Sequence, residues 1–365
     1  MKLSNKSLIF FFIIILLLSV SFFANAQLKV HFIDVGQGDS ILLQSPDESN
    51  MLIDGGDRWK SSQKKLTSYL KEQGVNKIDI LISTHPHADH IGGLSAVLEE
   101  FAVEKVYDSG RVHTSKTYEN YLNLIDEKDI SFDILRSGDE ISLDELKFNV
   151  LHPEDDVENY NLNNSSIVLH LTYKDISFLF TGDIEKEIEK EIIKKGYNLK
   201  SNIVKISHHG SKTSSHKNFL EKVNPKTAVI QAGEDNKFGH PHSEILRLLE
   251  NKNIDIYRTD KQGDILITTD GTSYEVSTTE DSVRSDEKKS DEKENVEKEL
   301  IDINTASKED LDKLWGIGPV IAERIIDYRV ENGFFKDKEE IMKVEGIDDK
   351  KYSKWQDKIF AGEKN

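Results

Sequence analysis

The run Ser83-Thr84-His85-Pro86-His87-Ala88-Asp89-His90-Ile91-Gly92-Gly93 restricts what this chain can fold into more than any other stretch. It follows the β-rich segment Ile78–Ser83 and precedes an amphipathic helical pattern over Ile91–Phe101, so it reads as a strand-to-helix turn. Along a strand, His85, His87, Asp89 and His90 would be spread over two faces; on a turn they can converge on one point. Imidazoles and a carboxylate converging in this way make a divalent-metal site. The sequence contains no cysteine, which excludes a thiolate zinc finger, a disulfide framework and a cysteine nucleophile. Any metal must therefore be held by His and carboxylates.

Further candidates fall at the ends of other β-rich runs: Asp183 in FLFTGD, and His208 and His209 in IVKISHHGS. Asp183 also fits as the N-cap of a helix beginning at Ile184. A His and carboxylate set suits zinc or manganese, and one bridging carboxylate would make a dinuclear centre. His152, before Pro153 at a strand end, reads as structural.

From Leu28 to about Ser277, short β-rich runs alternate with amphipathic helical patterns at Ser61–Gln73, Ile91–Phe101, Lys116–Lys128, Ile184–Lys195, His216–Val223 and Ser243–Lys252. Tight turns between some runs and helices between others indicate a layered α/β domain with mixed sheets. Ahead of it, Lys2 and Lys6 precede an apolar run from Leu8 to Phe23 and an Ala24-Asn25-Ala26 exit, the pattern of a secretory leader over residues 1–26. Cleavage after Ala26 would leave no stable membrane span and place the protein outside the cell.

Residues 278–299 hold 9 acidic and 5 basic side chains with almost no aliphatics, and read as a charged, disordered linker. A second apolar segment over residues 300–362 is expected to be a small all-α domain, with helices at Lys308–Leu314, Val320–Tyr328 and about Lys350–Ile359. The formal net charge of −18 argues against the whole chain being a basic sheath for nucleic acid, though not against a local contact through backbone amides.

Six motifs in order, FIDVGQGDSILL (Phe32–Leu43), LIDGG (Leu52–Gly56), NNSSIVLHL (Asn163–Leu171), FTGD, ISHHGSKTS and GHPHSEIL (Gly239–Leu246), make the segment Gln27–Ser277 similar to the metallo-β-lactamase superfamily. Within it, the segment resembles the hydrolase domain attached to ComEC-type DNA-uptake proteins. The resemblance implies an αββα sandwich and two divalent ions, zinc or manganese. His85 and His87 would hold one ion, Asp89 and His90 the other, with Asp183 bridging. One of His208 and His209, with His209 favoured, would complete the second site. Asp34 corresponds to a buried aspartate that orients the ligand loop. Many members place a third His where this chain has Asn163-Asn164-Ser165-Ser166, so the first ion is expected to be loosely held, with Asn164 beside it. Asp89, Asp183 and His240 form the expected catalytic set, and Ser211 and Lys212 the expected phosphate contacts.

The C-terminal segment, with Ile303-Asn304-Thr305-Ala306-Ser307, Gly316-Ile317-Gly318-Pro319 and Asn332-Gly333-Phe334-Phe335, resembles the tandem helix-hairpin-helix domain of ComEA-type DNA receptors. Non-specific contact with the DNA phosphate backbone would then fall to Gly316, Ile317 and Gly318, to Gly346 and Ile347, and to Arg324 and Lys350, because glycine turns bring free amides close to an anion. Asp348 stands where the second hairpin usually has Gly, which should weaken it. Residues 301–365 carry 15 acidic and 12 basic side chains, net −3. Together the two resemblances imply a secreted metal-dependent nuclease tethered to DNA by its tail. The alternatives are a surface phosphodiesterase of small phosphocholine-type esters and a non-catalytic DNA receptor.

Overall fold

A computed structural model describes residues 27–281, 300–312, 314, 316–356 and 358–362. The expected leader and most of the charged linker lie outside the described residues, which fall into two compact units.

The first unit is built on two mixed sheets. One runs in the order β15 (Tyr274–Thr278), β14 (Ile265–Thr269), β1 (Leu28–Phe32), β2 (Ile41–Gln44), β3 (Asn50–Ile53), β4 (Lys77–Ser83), β5 (Ala102–Asp108), β6 (Ser131–Ile134). The other runs β13 (Asp255–Arg258), β12 (Thr227–Ile230), β11 (Ile203–Lys205), β10 (Ile176–Phe180), β9 (Val168–Tyr173), β8 (Leu146–His152), β7 (Glu140–Leu143). Each sheet is antiparallel in one half and parallel in the other: β3 to β6 in the first, β10 to β13 in the second. The parallel strands feed their C-terminal ends into long crossovers, the place where open α/β sheets present side chains to a ligand.

Strand alternation sorts the apolar residues into layers. Ile41 and Leu43 enter the core between the sheets, with Phe32, Phe148, Phe178 and Phe180, while Leu42 points the other way. Leu42, Leu52 and Leu81 are covered by α1 (Lys60–Glu72), α3 (Leu94–Glu100) and α4 (Lys116–Glu127); α2 (Ala88–Ile91) is the short turn carrying the ligand run. Val168, Leu179, Val204 and Ile230 are covered by α5 (Lys186–Lys195), α6 (Lys217–Val223) and α7 (Ser243–Glu250). A last short helix, α8 (Thr259–Gln262), precedes β14. The result is the expected αββα sandwich. Sequence patterning did not reveal β5, β7 and β15. Lys and Glu interrupt the apolar run in β5, while β7 and β15 are short edge strands with one face to cover.

In the second unit, α9 (Lys308–Asp312) and α10 (Pro319–Asn332) pack with a 3₁₀ turn at Lys338–Lys343 and α11 (Asp349–Tyr352) around Ile303, Leu311, Ile325, Phe335 and Trp355. The helix expected over Lys350–Ile359 stops at Tyr352. Trp355 is instead buried after a turn, and β17 (Ile359–Phe360) pairs in parallel with β16 (Ile301–Asp302), closing the unit end to end. The buried Asn304 amide donates to the Phe335 and Gly362 carbonyls, which explains the Asn of the INTAS run.

Asp108, at the end of β5, is buried, accepts from Gly110 N and from Tyr121 Oη, and has its pKa pushed up to about 6 by that burial. Its folded-state pKa lies above the unfolded value, so metal-free protein should lose stability as pH rises from about 4 to about 6, by about 3 kcal/mol. Asp108→Asn should remove that part of the slope, measured by urea unfolding in chelator between those pH values; an unchanged slope would show that Asp108 is ionised throughout.

Candidate metal centre

The ligand run is locked from behind by Asp54, which follows β3. Its carboxylate accepts from Thr84 N at 2.8 Å and Thr84 Oγ1 at 2.6 Å, and lies 2.8 Å from His90 Nδ1. Backbone contacts complete the grip: Gly55 N donates to His90 O at 2.6 Å and Asp39 N to Asp89 O at 3.2 Å. Two glycines make this approach possible. A Cβ on Gly93 would stand 2.0 Å from Gly55 O, and one on Gly38, whose φ is +121°, would stand 1.9 Å from Asp89 O. The FIDVGQGDS and LIDGG motifs are thus the bed on which the metal-ligand turn lies.

From that bed the imidazoles converge on Asp183, at the end of β10. His90 Nε2 lies 3.2 Å from Asp183 Oδ2, His209 Nε2 3.4 Å, and His85 Nε2 4.0 Å; His87 Nδ1 lies 3.0 Å from His85 Nε2. His209 Nε2 also faces Asp89 Oδ2 at 3.4 Å. His85, His90 and Asp183 form one compact ligand group, and Asp89, His90 and His209 another. His208 and His209 both hold left-handed backbone conformations, at φ +51° and +54°, strain of a kind that concentrates at functional sites. Of the pair it is His209 that enters the ligand groups; His208 Nε2 stands 4.0 Å from Asp183 and contacts Asn163 Nδ2 at 3.4 Å.

The donor chemistry fits a cation. His90 Nδ1 faces the Asp54 carboxylate and His209 Nδ1 the Gln231 carbonyl, both acceptors, so in the neutral rings these nitrogens carry the hydrogens. Each Nε2 lone pair then faces carboxylate oxygen, and both Nε2 atoms are buried without a hydrogen-bond partner. Without a cation, a proton fills the gap. Burial favours the neutral rings, but Asp183 with Asp54 or Asp39 overrides it and holds both pKa values well above the usual imidazole range. Burial works against the Asp183 anion too, yet His209 and His90 hold its carboxyl well below the usual range. His85 is pushed well below the usual range by burial and then by charge on His90, leaving a neutral ring suited to ligation.

Lys205, on β11 and 1% exposed, was invisible as a site residue. Its ammonium pairs with Asp39, donates to Gly182 O at 3.0 Å and stands 3.6 Å from Asp183 Oδ1. It thereby claims the Oδ1 side of Asp183, leaving Oδ2 to the imidazoles. His113 Nδ1 is buried without a partner.

Several expectations need correction. Asp34 does not orient the ligand turn: it is half-buried and pairs with Lys65 Nζ at 3.0 Å, while Asp54 and Asp39 do that work. Asn164 turns away, accepting from Glu185 N; Asn163 and Ser166 are the residues at the cluster, with Ser166 Oγ 3.2 Å from His85 Nδ1. Ser211 is buried with its hydroxyl against Thr213, whereas Lys212 is exposed and its backbone N donates to His242 Nδ1. His152 bonds the Asn164 carbonyl at 2.7 Å, a structural role. His240 stands with its ring centroid 5.5 Å from that of His208, its Nδ1 buried and unpartnered, its pKa lowered to about 4 by burial and by His209 and His208.

In the second unit the two hairpin turns differ. Gly316, at φ +76°, leads to Gly318, which begins α10 without a side-chain cap of its own. At the other turn, Asp348 accepts from Lys351 N and occupies the start of α11 with its own carboxylate, and Lys351 Nζ donates to Gly346 O at 2.6 Å. Ile317 and Ile347 are buried, so only their backbones are offered outward; Arg324 is engaged with Glu345 O, and Lys350 is exposed.

Residues 33–234 match the metallo-beta-lactamase superfamily, and residues 296–360 the helix-hairpin-helix motif. The chain belongs to the metallo-beta-lactamase superfamily of metal-dependent hydrolases, whose fold binds divalent metals, often two. Within it, the chain is similar to proteins named for competence and the ComE operon. It is 36% identical over 253 residues to ComE operon protein 3 of Bacillus subtilis, covering 65% of this chain and 32% of that protein. To Competence protein ComA of Neisseria gonorrhoeae it is 27% identical over 237 residues, covering 63% of this chain and 30% of that one. The tail is 51% identical over 55 residues to ComE operon protein 1 of Bacillus subtilis, 15% of this chain and 27% of that protein. The chain spans about a third of the length of the curated relatives its hydrolase unit matches.

Lys205→Met should leave Asp39 and Asp183 uncompensated, destabilising metal-free protein by about 3–5 kcal/mol. Urea unfolding in chelator measures this, and a loss below about 1 kcal/mol would mean that the imidazolium rings alone neutralise the pair.

Proposed function

We propose that this protein is an exported, metal-dependent nuclease that hydrolyses phosphodiesters of DNA retained by its helix-hairpin-helix unit. The observation that carries this reading is the joining, in one chain, of a cation-demanding site built on Asp183 to a unit of the helix-hairpin-helix class. The competence names of the relatives support DNA as the substrate, and the leader-like pattern of residues 1–26 supports export.

His85, His87, Asp89, His90, Asp183 and His209 would hold two divalent ions, which when bound supply positive charge for the phosphoryl oxygens and activate water. The protein's own part is positional. Asp54 and Gln231 fix the tautomers of His90 and His209, Lys205 fixes Asp183, and His240 offers an uncharged imidazole near neutrality that can hydrogen-bond a phosphoryl oxygen or take a proton. Asn163 in place of an imidazole leaves the His85 and His87 side more open to substrate.

Purified protein with manganese or zinc should degrade plasmid DNA, and Asp183→Ala or chelator should lower the rate by at least about a hundredfold. Activity surviving both would remove the metal site from the reaction. DNA retention without metal should fall with salt, with a log–log slope of about −0.9 per phosphate contacted. Asp348→Gly, which opens the second turn, should steepen that slope in filter binding; an unchanged slope would mean that the second turn takes no part.

A further inference from the structure

Two exposed aromatics, each paired with a cation, stand on loops that run up to metal-ligand residues. Trp59 is 59% exposed and Phe238 49% exposed, values that waste large apolar area unless something covers it. The Arg58 guanidinium carbon lies 5.2 Å from the Trp59 ring centroid, and Lys237 Nζ 5.0 Å from that of Phe238.

Their placement is built. Trp59 ends the loop that follows β3, whose Gly55 and Gly56 bond the ligand turn; a Cβ on Gly92 would stand 2.1 Å from Arg58 N, so this loop lies directly on that turn. Phe238 sits at the tip of the loop after β12, held by one side chain: Asn236 Nδ2 donates to Gly233 O and His240 O, and Asn236 Oδ1 accepts from Phe238 N and His240 N. The Phe238 ring stacks on His240 at 5.7 Å and 22°, and His240 leads on to His209 at 6.2 Å. The loop ending in Trp59 thus lies on the turn that carries Asp89, Asp89 faces His209 at 3.4 Å, and His209 leads through His240 to Phe238, so the metal ligands Asp89 and His209 fall between the two rings.

We propose that Trp59 and Phe238 are base-stacking platforms that select a single-stranded nucleic acid, with Arg58 and Lys237 at its backbone, for the centre between them. Every base has a π-face, so such platforms tolerate any sequence, and a duplex hides those faces by pairing and stacking. This deepens the nuclease reading and rests on it. A small phosphoester would reach the metal centre without using either ring.

The test compares kcat/KM of the full-length protein on an oligo-dT strand, on an abasic strand of equal length and on a duplex, for wild type, Trp59→Ala, Phe238→Ala and Phe238→Tyr. Wild type should prefer the oligo-dT strand to the abasic strand and to the duplex. Each alanine substitution should shrink the preference over the abasic strand by about tenfold, and Phe238→Tyr should preserve it. Both sites are at the surface, so thermal unfolding should be unchanged. Equal turnover of abasic and base-bearing strands by wild type, a preference unchanged in both alanine variants, or duplex cleaved as well as single strand would each overturn the proposal while leaving an Asp183-dependent nuclease in place. Absence of any Asp183-dependent cleavage of nucleic acid would overturn both readings together.

Discussion

Uncompensated negative charge is the constraint on which the centre depends. Asp39, Asp54 and Asp183 are almost completely buried, with Asp89 beside them, and among the described residues a single buried ammonium, Lys205, pairs with them. Burying several carboxylates is costly unless cations and hydrogen bonds offset the lost hydration. The imidazoles supply that offset in two ways: as imidazolium when protons are the available cation, and as neutral ligands when a divalent ion is. Proton and metal thus compete for the same Nε2 lone pairs of His90 and His209.

That competition is useful only if the groups cannot rearrange. The sandwich secures this by taking ligands from the ends of strands in both sheets: β4 leads to His85, His87, Asp89 and His90, β10 to Asp183, and β11 to His209. A core shared by the sheets fixes these strand ends relative to each other. The local cost is backbone strain at Asp54, His208 and His209, all at positive φ. The rest of the sandwich must stabilise those turns, and the close backbone packing around them leaves no room for a Cβ at Gly38 or Gly93.

How much of this was legible depended on how local each signal is. His85 to His90, Asp183 and the histidine pair could be read because each motif sits within a few residues at a β-to-loop boundary, where spacing alone implies convergence. Asp34, Asp39 and Asp54 look alike in sequence, each lying at one end of an apolar run within two residues of a glycine. Which of them faces inward is decided by pairing in three dimensions, and Asp34 turned out to belong to Lys65. Lys205 was hidden because a lysine in a strand ordinarily faces water. Asn163 and Asn164 could not be told apart, since a 3₁₀ turn decides which amide faces His208. The exposed rings of Trp59 and Phe238 are defined by what does not pack on them, and a pattern of apolar residues cannot express that.

Bulk charge was a poor guide to the partner for the same reason. The acidic excess of the whole chain gathers partly in residues 278–299, and in the tail it includes Asp348, whose carboxylate closes one hairpin turn from within. The groups that a phosphate would meet in this architecture are few and local: the start of α10, the metal centre, and the cations beside Trp59 and Phe238. A polyanion meeting such a surface is repelled at a distance and held only where those donors meet it. On the proposed reading, weak capture by the tail and a separate, strongly cation-demanding centre are complementary, because a substrate that the tail releases easily can be presented repeatedly to that centre.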